Sequence, residues 1–238
     1  SAGAQLIEYA PHGAREHVER VLAKHPSQRE AIALLAACEA VLWNAAGTER
    51  ALTRLDALAP GTAEGYFTVG RHLSFQRQYE EAAEMLSEAI RRRPKWPAPI
   101  IEQGLMELQS GRDEVAHSLL RQVAVLDPFN KRAANSLYML EALAEYATVE
   151  TEHFVIRYRP GVDEVMVAMM PEELERMHRE VAGRFQHEPD RKTTIELMPD
   201  HRWFSVRITG MPWIHTIAAC TGPVIAMEVT KEGPPSKH

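Results

Sequence analysis

Apolar residues recur every three or four positions through the first 146 residues, and this spacing predicts a succession of short amphipathic helices. The breaks between them are regular. Pro26, Pro60, Pro94 and Pro128 stand 34 residues apart, each after a predicted helix, where a residue lacking an N–H cannot continue the hydrogen-bond ladder. At Glu150 the period changes to two. Residues 153–159 alternate Phe154, Ile156 and Tyr158 with Val155, Arg157 and Arg159, the pattern of a half-buried strand. Pro160 and Gly161 end it. Pro171 is then expected to open a helix whose first turns carry Glu172, Glu173 and Glu175, where negative charge suits the dipole. Leu174, Met177, Val181 and Phe185 are its expected buried stripe. Residues 193–198 predict a second strand, Asp200 an N-cap for a short helix through Val206 ended by Gly210, and residues 224–229 a third strand.

Other positions keep the 34-residue frame. In residues 63–96 the first helix carries Tyr66, Val69, Gly70 and Leu73, and the second Ala82, Leu86 and Ala89 before Pro94. Residues 97–130 repeat this as Ile100, Gly104, Ala116, Leu120, Val123 and Pro128, with Gln103 and Glu107 as departures. Small residues at 70, 82, 104 and 116 suit helices packed about 8–10 Å apart. The set resembles the tetratricopeptide repeat, a helix-turn-helix unit of this period. Residues 29–62 fit through Ile32, Leu35, Ala36, Leu52, Leu55 and Pro60, with Thr48 where a small Ala belongs. Ala14, Val18, Val21 and Pro26 match an earlier second helix; Ala134 and Leu137 match a later first helix, with Tyr138 in place of Gly.

The resemblance implies an all-α tetratricopeptide superhelix, an α-α solenoid, over residues 1–147, whose first helices line a concave groove that holds a protein or peptide partner. Candidate groove contacts are Phe67, Arg71, Phe75, Ile101, Leu105, Leu108, Asn135 and Met139. The groove reads as largely apolar, and the Lys, Arg and Asn set that clamps a peptide carboxylate in some family members is missing from it. First helices apolar on two faces are normally covered on both. The expected cover is the C-terminal part of this chain, with a second copy, giving a homodimer, or an apolar partner segment as alternatives.

Residues 148–238 predict a small α+β domain. Their order, with FVIRYR, then PEELERMHREVAGRFQHEP, TTIELMPD and TGPVIAM, resembles the N-terminal subdomain of peptidase MA-like, gluzincin-type metallopeptidases. That resemblance implies that residues 224–229, notably Val224, Ile225, Ala226 and Met227, are an edge strand that pairs with extended substrate. Such enzymes bind zinc through HExxH on a following helix. The chain has no HExxH, and none of His153, His178, His187, His201, His215 and His238 has a His partner three or four residues on. No catalytic, metal or cofactor residue is therefore assigned; zinc enters only if a catalytic helix lies beyond residue 238. The expectation is a non-catalytic interaction module, with the front part of a zinc metallopeptidase as the alternative.

Composition narrows the field. Of 238 residues, 45% are hydrophobic and 25% charged, as in globular chains that bury a core. Basic residues number 16 against 19 acidic before residue 150 and 11 against 14 from there on, so neither part is a nucleic-acid backbone binder by charge. Cys38 and Cys220 exclude a disulfide framework. The basic run Arg91, Arg92, Arg93, Lys95 and Trp96 sits where cations complement a helix C-terminus. No apolar stretch is long enough for a membrane span, and compartment is left open. Trp203 and Trp213 either line a pocket or cover the small sheet.

Overall fold

The structure, a computed structural model, describes residues 7–161 and 164–229; the C-terminal KEGPPSKH lies outside them. Helices α1 (Pro11–Lys24), α2 (Arg29–Val41), α3 (Ala45–Leu58), α4 (Glu64–Phe75), α5 (Tyr79–Arg92), α6 (Pro97–Gln109), α7 (Asp113–Leu126) and α8 (Lys131–Leu143) form stacked helical hairpins. Strands β1 (Ala147–Glu150) and β2 (Phe154–Tyr158), helix α9 (Glu164–Phe185), β3 (Thr193–Met198), helix α10 (His201–Thr209), β4 (Ala218–Cys220) and β5 (Val224–Glu228) complete the chain.

The 34-residue frame is written into the backbone as well as the side chains. His25, Ala59 and Arg93 follow helices α1, α3 and α5 with φ of −132°, −147° and −140°, out of the helical region because a proline follows each. Trp43, Arg77 and Gly111 are left-handed, with φ of 61°, 61° and 80°. After α4, the Gln78 N–H bonds the Leu73 carbonyl at 3.0 Å, and after α2 the Asn44 N–H bonds the Glu39 carbonyl at 2.9 Å. Both are the six-to-one bond of a Schellman ending, which places one residue in the left-handed region.

Packing follows the same frame. Ala82, Leu86 and Ala89 on α5 and Ala116, Leu120 and Val123 on α7 are fully buried. A Cβ at Gly70 would stand 2.7 Å from Leu86 Cγ and 3.1 Å from the Leu86 nitrogen, so α4 and α5 meet at a distance that only glycine permits. Thr48 is accommodated because its Oγ1 bonds the Asn44 carbonyl at 3.1 Å. Gln103, an apparent misfit, is buried with its Nε2 donating to Ser87 Oγ at 3.0 Å. In the last half-unit Ala134 and Tyr138 are exposed, since no second helix follows α8 in the frame. Cys38 is wholly buried, and burial pushes its thiol up to about 12.

The sheet order is β1-β2-β3-β5-β4. β1 and β4 pair antiparallel with β2 and β5; β2, β3 and β5 are parallel, so helices α9 and α10 make the two crossovers. Ile156, Ile195 and Ile225 are aligned by the register. Ile195 and Leu197 join Phe154, Ile156 and Val167 in one core, while α10 packs on β3 and β5. β3 is therefore closed on both faces, as a parallel interior strand requires.

Three sequence expectations change here. Helix α9 begins at Glu164 and carries Pro171 inside it; burial of Val167 and packing of Met170 hold the earlier turns despite the missing N–H. The row of α9 that meets the core is Val167, Met170 and Leu174, whereas Met177, Val181 and Phe185 are exposed. Strand 224–228 is interior: Ala218, Ala219 and Cys220 pair with Met227, Ala226 and Ile225 on its outer side. The edge belongs to β4, three residues too short for the period-two pattern to mark.

The chain divides into two compact units, one up to Glu107 with Val125–Asp127, the other Leu108–Ala124 with everything from Pro128 on. This lies earlier than residue 147 because the end of α6, most of α7, and α8 are bonded to the strand-rich part.

Candidate functional site

In the first unit α4 turns Val69, Gly70 and Leu73 inward and, one helical turn apart, Phe67, Arg71 and Phe75 along another face. Arg71 is exposed and Phe75 is 52% exposed, its ring meeting that of Tyr9 edge-on at 6.2 Å. The Phe67 ring packs against Trp96 with centroids 4.8 Å apart, and the Arg93 guanidinium lies 5.2 Å from the Trp96 ring. Ile101 is half-buried and Leu105 is buried. Two arginines of the basic run are engaged within the unit. Arg92 donates to Asp56 and Glu88 at 2.6 and 2.7 Å and to the Tyr66 hydroxyl at 3.1 Å. Arg91 grips Glu88 twice at 2.6 Å, and these two arginines hold the Glu88 carboxyl down to about 2. A cleft of about 580 Å³ also opens in this unit, with Trp43, Leu52, Tyr66 and Met85 among its walls. Trp43 is 71% exposed at its rim; the groove positions of the repeat frame do not include it, so the sequence reading missed this surface.

The other three predicted groove residues belong to the second unit and are already occupied. Met139 is fully buried, Asn135 Nδ2 donates to the Gly210 carbonyl at 3.1 Å, and the Leu108 carbonyl accepts from Arg207 Nη1 at 2.6 Å. Gln109 Nε2 and Arg132 Nε donate to the carbonyls of Ile208 and Thr209 at 3.3 and 3.1 Å. Thus the carbonyls at the end of α10, which have no partner within their own helix, are satisfied by α6 and α8. Gly210, left-handed at φ 72°, fits because a Cβ there would crowd the Arg132 backbone at 3.3 Å. Trp203 stacks on Tyr138 at 5.5 Å. Asp200 caps α10, accepting from the Trp203 N–H at 2.9 Å, and the helix runs to Thr209, one turn past Val206.

Beneath α10 lies a four-charge network, buried at Glu196 and Arg207 and half-buried at Arg157 and Asp113. Glu196 on β3 and Arg157 on β2 are register partners, and Arg157 Nη1 reaches Glu196 Oε1 at 3.0 Å. Arg207 on α10 binds both oxygens of Glu196, and Asp113 at the start of α7 contacts both arginines. Burial works against the Arg207 charge, but the carboxylates of Glu196 and Asp113 overcome it and hold its pKa above the ordinary value. A charge in an otherwise apolar strand, as Glu196 is in TTIELM, signals a buried partner; which partner, the sequence does not say. A cleft of about 570 Å³ adjoins the network, lined by Glu114, His117, Glu141, Tyr146 and Arg157 among others. Here His117 Nε2 and Glu141 Oε1 are 4.0 Å apart.

No family model matches the chain, and no curated protein matches it significantly. Solved structures do. MamA shares 19% identity over 56% of this chain and 77% of its own, with a TM-score of 0.42. The Thermus thermophilus TPR protein TTC0263 shares 25% over 60% of this chain and 84% of its own, at 0.41. A mutant Thermobaculum terrenum O-GlcNAc transferase shares 17% over 75% of this chain, at 0.37, and this chain spans 38% of that one. TM-scores of this size say nothing about what the chain binds. Among the described residues no helix is long and apolar enough to cross a membrane.

Proposed function

We propose that the helical hairpins are a protein-interaction module and that the α4 face of Phe67, Arg71 and Phe75, with Ile101 from the next first helix, receives an extended, predominantly apolar peptide. The observation that carries this is the contrast along α4. Val69, Gly70 and Leu73 are buried, whereas Arg71 and Phe75 are exposed one turn apart. An aromatic and an arginine side by side are the side chains in which binding energy concentrates at protein interfaces. A displayed peptide library selected on the full chain should yield binders that Phe75→Ser and Arg71→Glu each weaken tenfold or more, while Phe129→Ser, at another exposed aromatic, leaves them unchanged. Binders indifferent to both groove changes overturn the reading.

A second reading rests on the sheet. β4 is an outer strand, antiparallel to β5, and an extended segment adds to such an edge by main-chain hydrogen bonds. On this reading the α+β part is the front of a peptidase MA-like domain, with its substrate edge at β4 in place of Val224–Met227. It requires an HExxH helix encoded downstream of residue 238. A reading frame that continues without one removes it.

A further inference from the structure

Beside the start of the β2–β3 pair the fold collects two histidines and two carboxylates from parts of the chain that no short motif connects. His153 precedes β2, Glu175 and His178 lie one turn apart on α9, and Glu188 follows α9. The left-handed residue Gln186, φ 50°, turns the chain there. Thr193 donates its N–H to the His153 carbonyl at 2.9 Å, which fixes the start of β2 against β3.

Glu175 holds His153 twice: one carboxylate oxygen accepts the His153 backbone N–H at 2.9 Å, and the other faces Nδ1 at 2.6 Å. A carboxylate at this distance is an acceptor, so the proton of a neutral His153 ring sits on Nδ1. Nε2 then carries a free lone pair. The two imidazoles are stacked, 3.8 Å apart and 16° from parallel, with the edge of Phe154 against His178. Glu188 Oε2 lies 2.8 Å from His178 Nε2 and 4.0 Å from His153 Nε2. One donor atom from each of His153, His178 and Glu188 falls within 4.8 Å of the others. A cavity of about 170 Å³ opens beside them.

We propose that His153, His178 and Glu188 bind a Zn²⁺ ion, with Glu175 as the carboxylate behind His153. Two imidazole nitrogens and one carboxylate oxygen are a donor set for zinc and its transition-metal neighbours; Ca²⁺ and Mg²⁺ take oxygen ligands. A carboxylate on the far nitrogen of a ligating histidine fixes its tautomer and raises its basicity, which is the relation of Glu175 to His153. Bonds of about 2.0–2.1 Å in a tetrahedral site bring donors to roughly 3.3 Å separation. Closure therefore takes movements of about an ångström and a fanning of the stacked rings, within reach of Glu188, whose side chain is 67% exposed. Three protein ligands leave the fourth position to water on the cavity side.

The test uses the full chain stripped with a chelator and titrated with Zn²⁺ alone by calorimetry, and with Co²⁺ followed by visible absorption. The expected result is one ion per chain and the intense bands of tetrahedral cobalt. Glu188→Gln and His178→Ala should each weaken binding tenfold or more, Glu175→Gln about 10- to 100-fold, and His215→Ala should change nothing. Glu188 is exposed, so its variant keeps the fold even where the histidine variants do not. No stoichiometric uptake, or Zn²⁺ binding within twofold of the parent by Glu188→Gln, overturns the assignment.

Discussion

Arg207 and Glu196 form an ion pair closed off from solvent, their side chains 2% and 0% exposed, with Nη2 3.0 Å from Oε1 and Nε bonded to Oε2. It joins α10 to the middle strand of the sheet, while Arg207 Nη1 also holds the end of α6 through Leu108. Truncating one member of a buried pair leaves the other charge desolvated, at about 3–5 kcal/mol. Arg207→Met should lower the unfolding free energy obtained from urea titrations by that much. Arg207→Lys should recover only part, because an ammonium cannot reproduce the two-oxygen grip. An unfolding free energy unchanged in Arg207→Met contradicts the role given to the pair.

Gly70 and Arg77 test the repeat frame from opposite directions. At Gly70 a methyl group meets Leu86, including its backbone nitrogen at 3.1 Å, so Gly70→Ala should destabilise the first unit by about 1–3 kcal/mol. That reverses the usual advantage of alanine over glycine in a helix. Arg77 occupies the left-handed position that Gly111 fills one repeat later. Relief of its backbone strain exceeds the entropy glycine adds to the unfolded chain, so Arg77→Gly should stabilise by up to about 1 kcal/mol. Gln78→Gly, next door at φ −83°, should destabilise. Thermal melts of the three variants decide the matter, and a stabilised Gly70→Ala contradicts the close approach of α4 and α5.

What was legible in the sequence was what repeats or alternates. Pro26, Pro60 and Pro94 marked the turns, and Ala82, Leu86, Ala116 and Leu120 the packing face, because every unit solves the same problem with the same residue types. The HFVIRYR alternation likewise announced β2. Single events were not legible. β1 and β4 are too short to alternate, so nothing in the sequence sets a strand outside 224–228, the edge that the peptidase resemblance implies. Met177, Val181 and Phe185 have helical spacing, but only the row through Val167, Met170 and Leu174 meets the core. The donors around His153 come from three separate places, and a spacing rule for ligands on one helix passes over them.

His72 and His201 should give the stability–pH curve two components of opposite sign. His72 is 5% exposed on α4, its Nδ1 buried without a partner. Burial, and then the charge of Arg71, push its pKa down to about 4 from 6.5. The unfolded chain thus binds the proton first: the stability from neutral His72 is full above pH 6.5 and is lost as pH falls toward 4. By that point the loss is on the order of 3 kcal/mol. His201 is the reverse case. Its ring nitrogens face Glu228 at 2.9 Å and the Ile214 carbonyl at 2.7 Å, and these contacts, Glu228 first, raise its pKa. Its contribution is full below the unfolded pKa and is lost as pH rises through the folded one. Urea unfolding of the parent, His72→Leu and His201→Ala between pH 4 and 8 separates the two. His72→Leu should flatten the acid side and His201→Ala the neutral side. If His72→Leu loses stability between pH 6.5 and 4 as steeply as the parent, His72 is not the buried neutral group described.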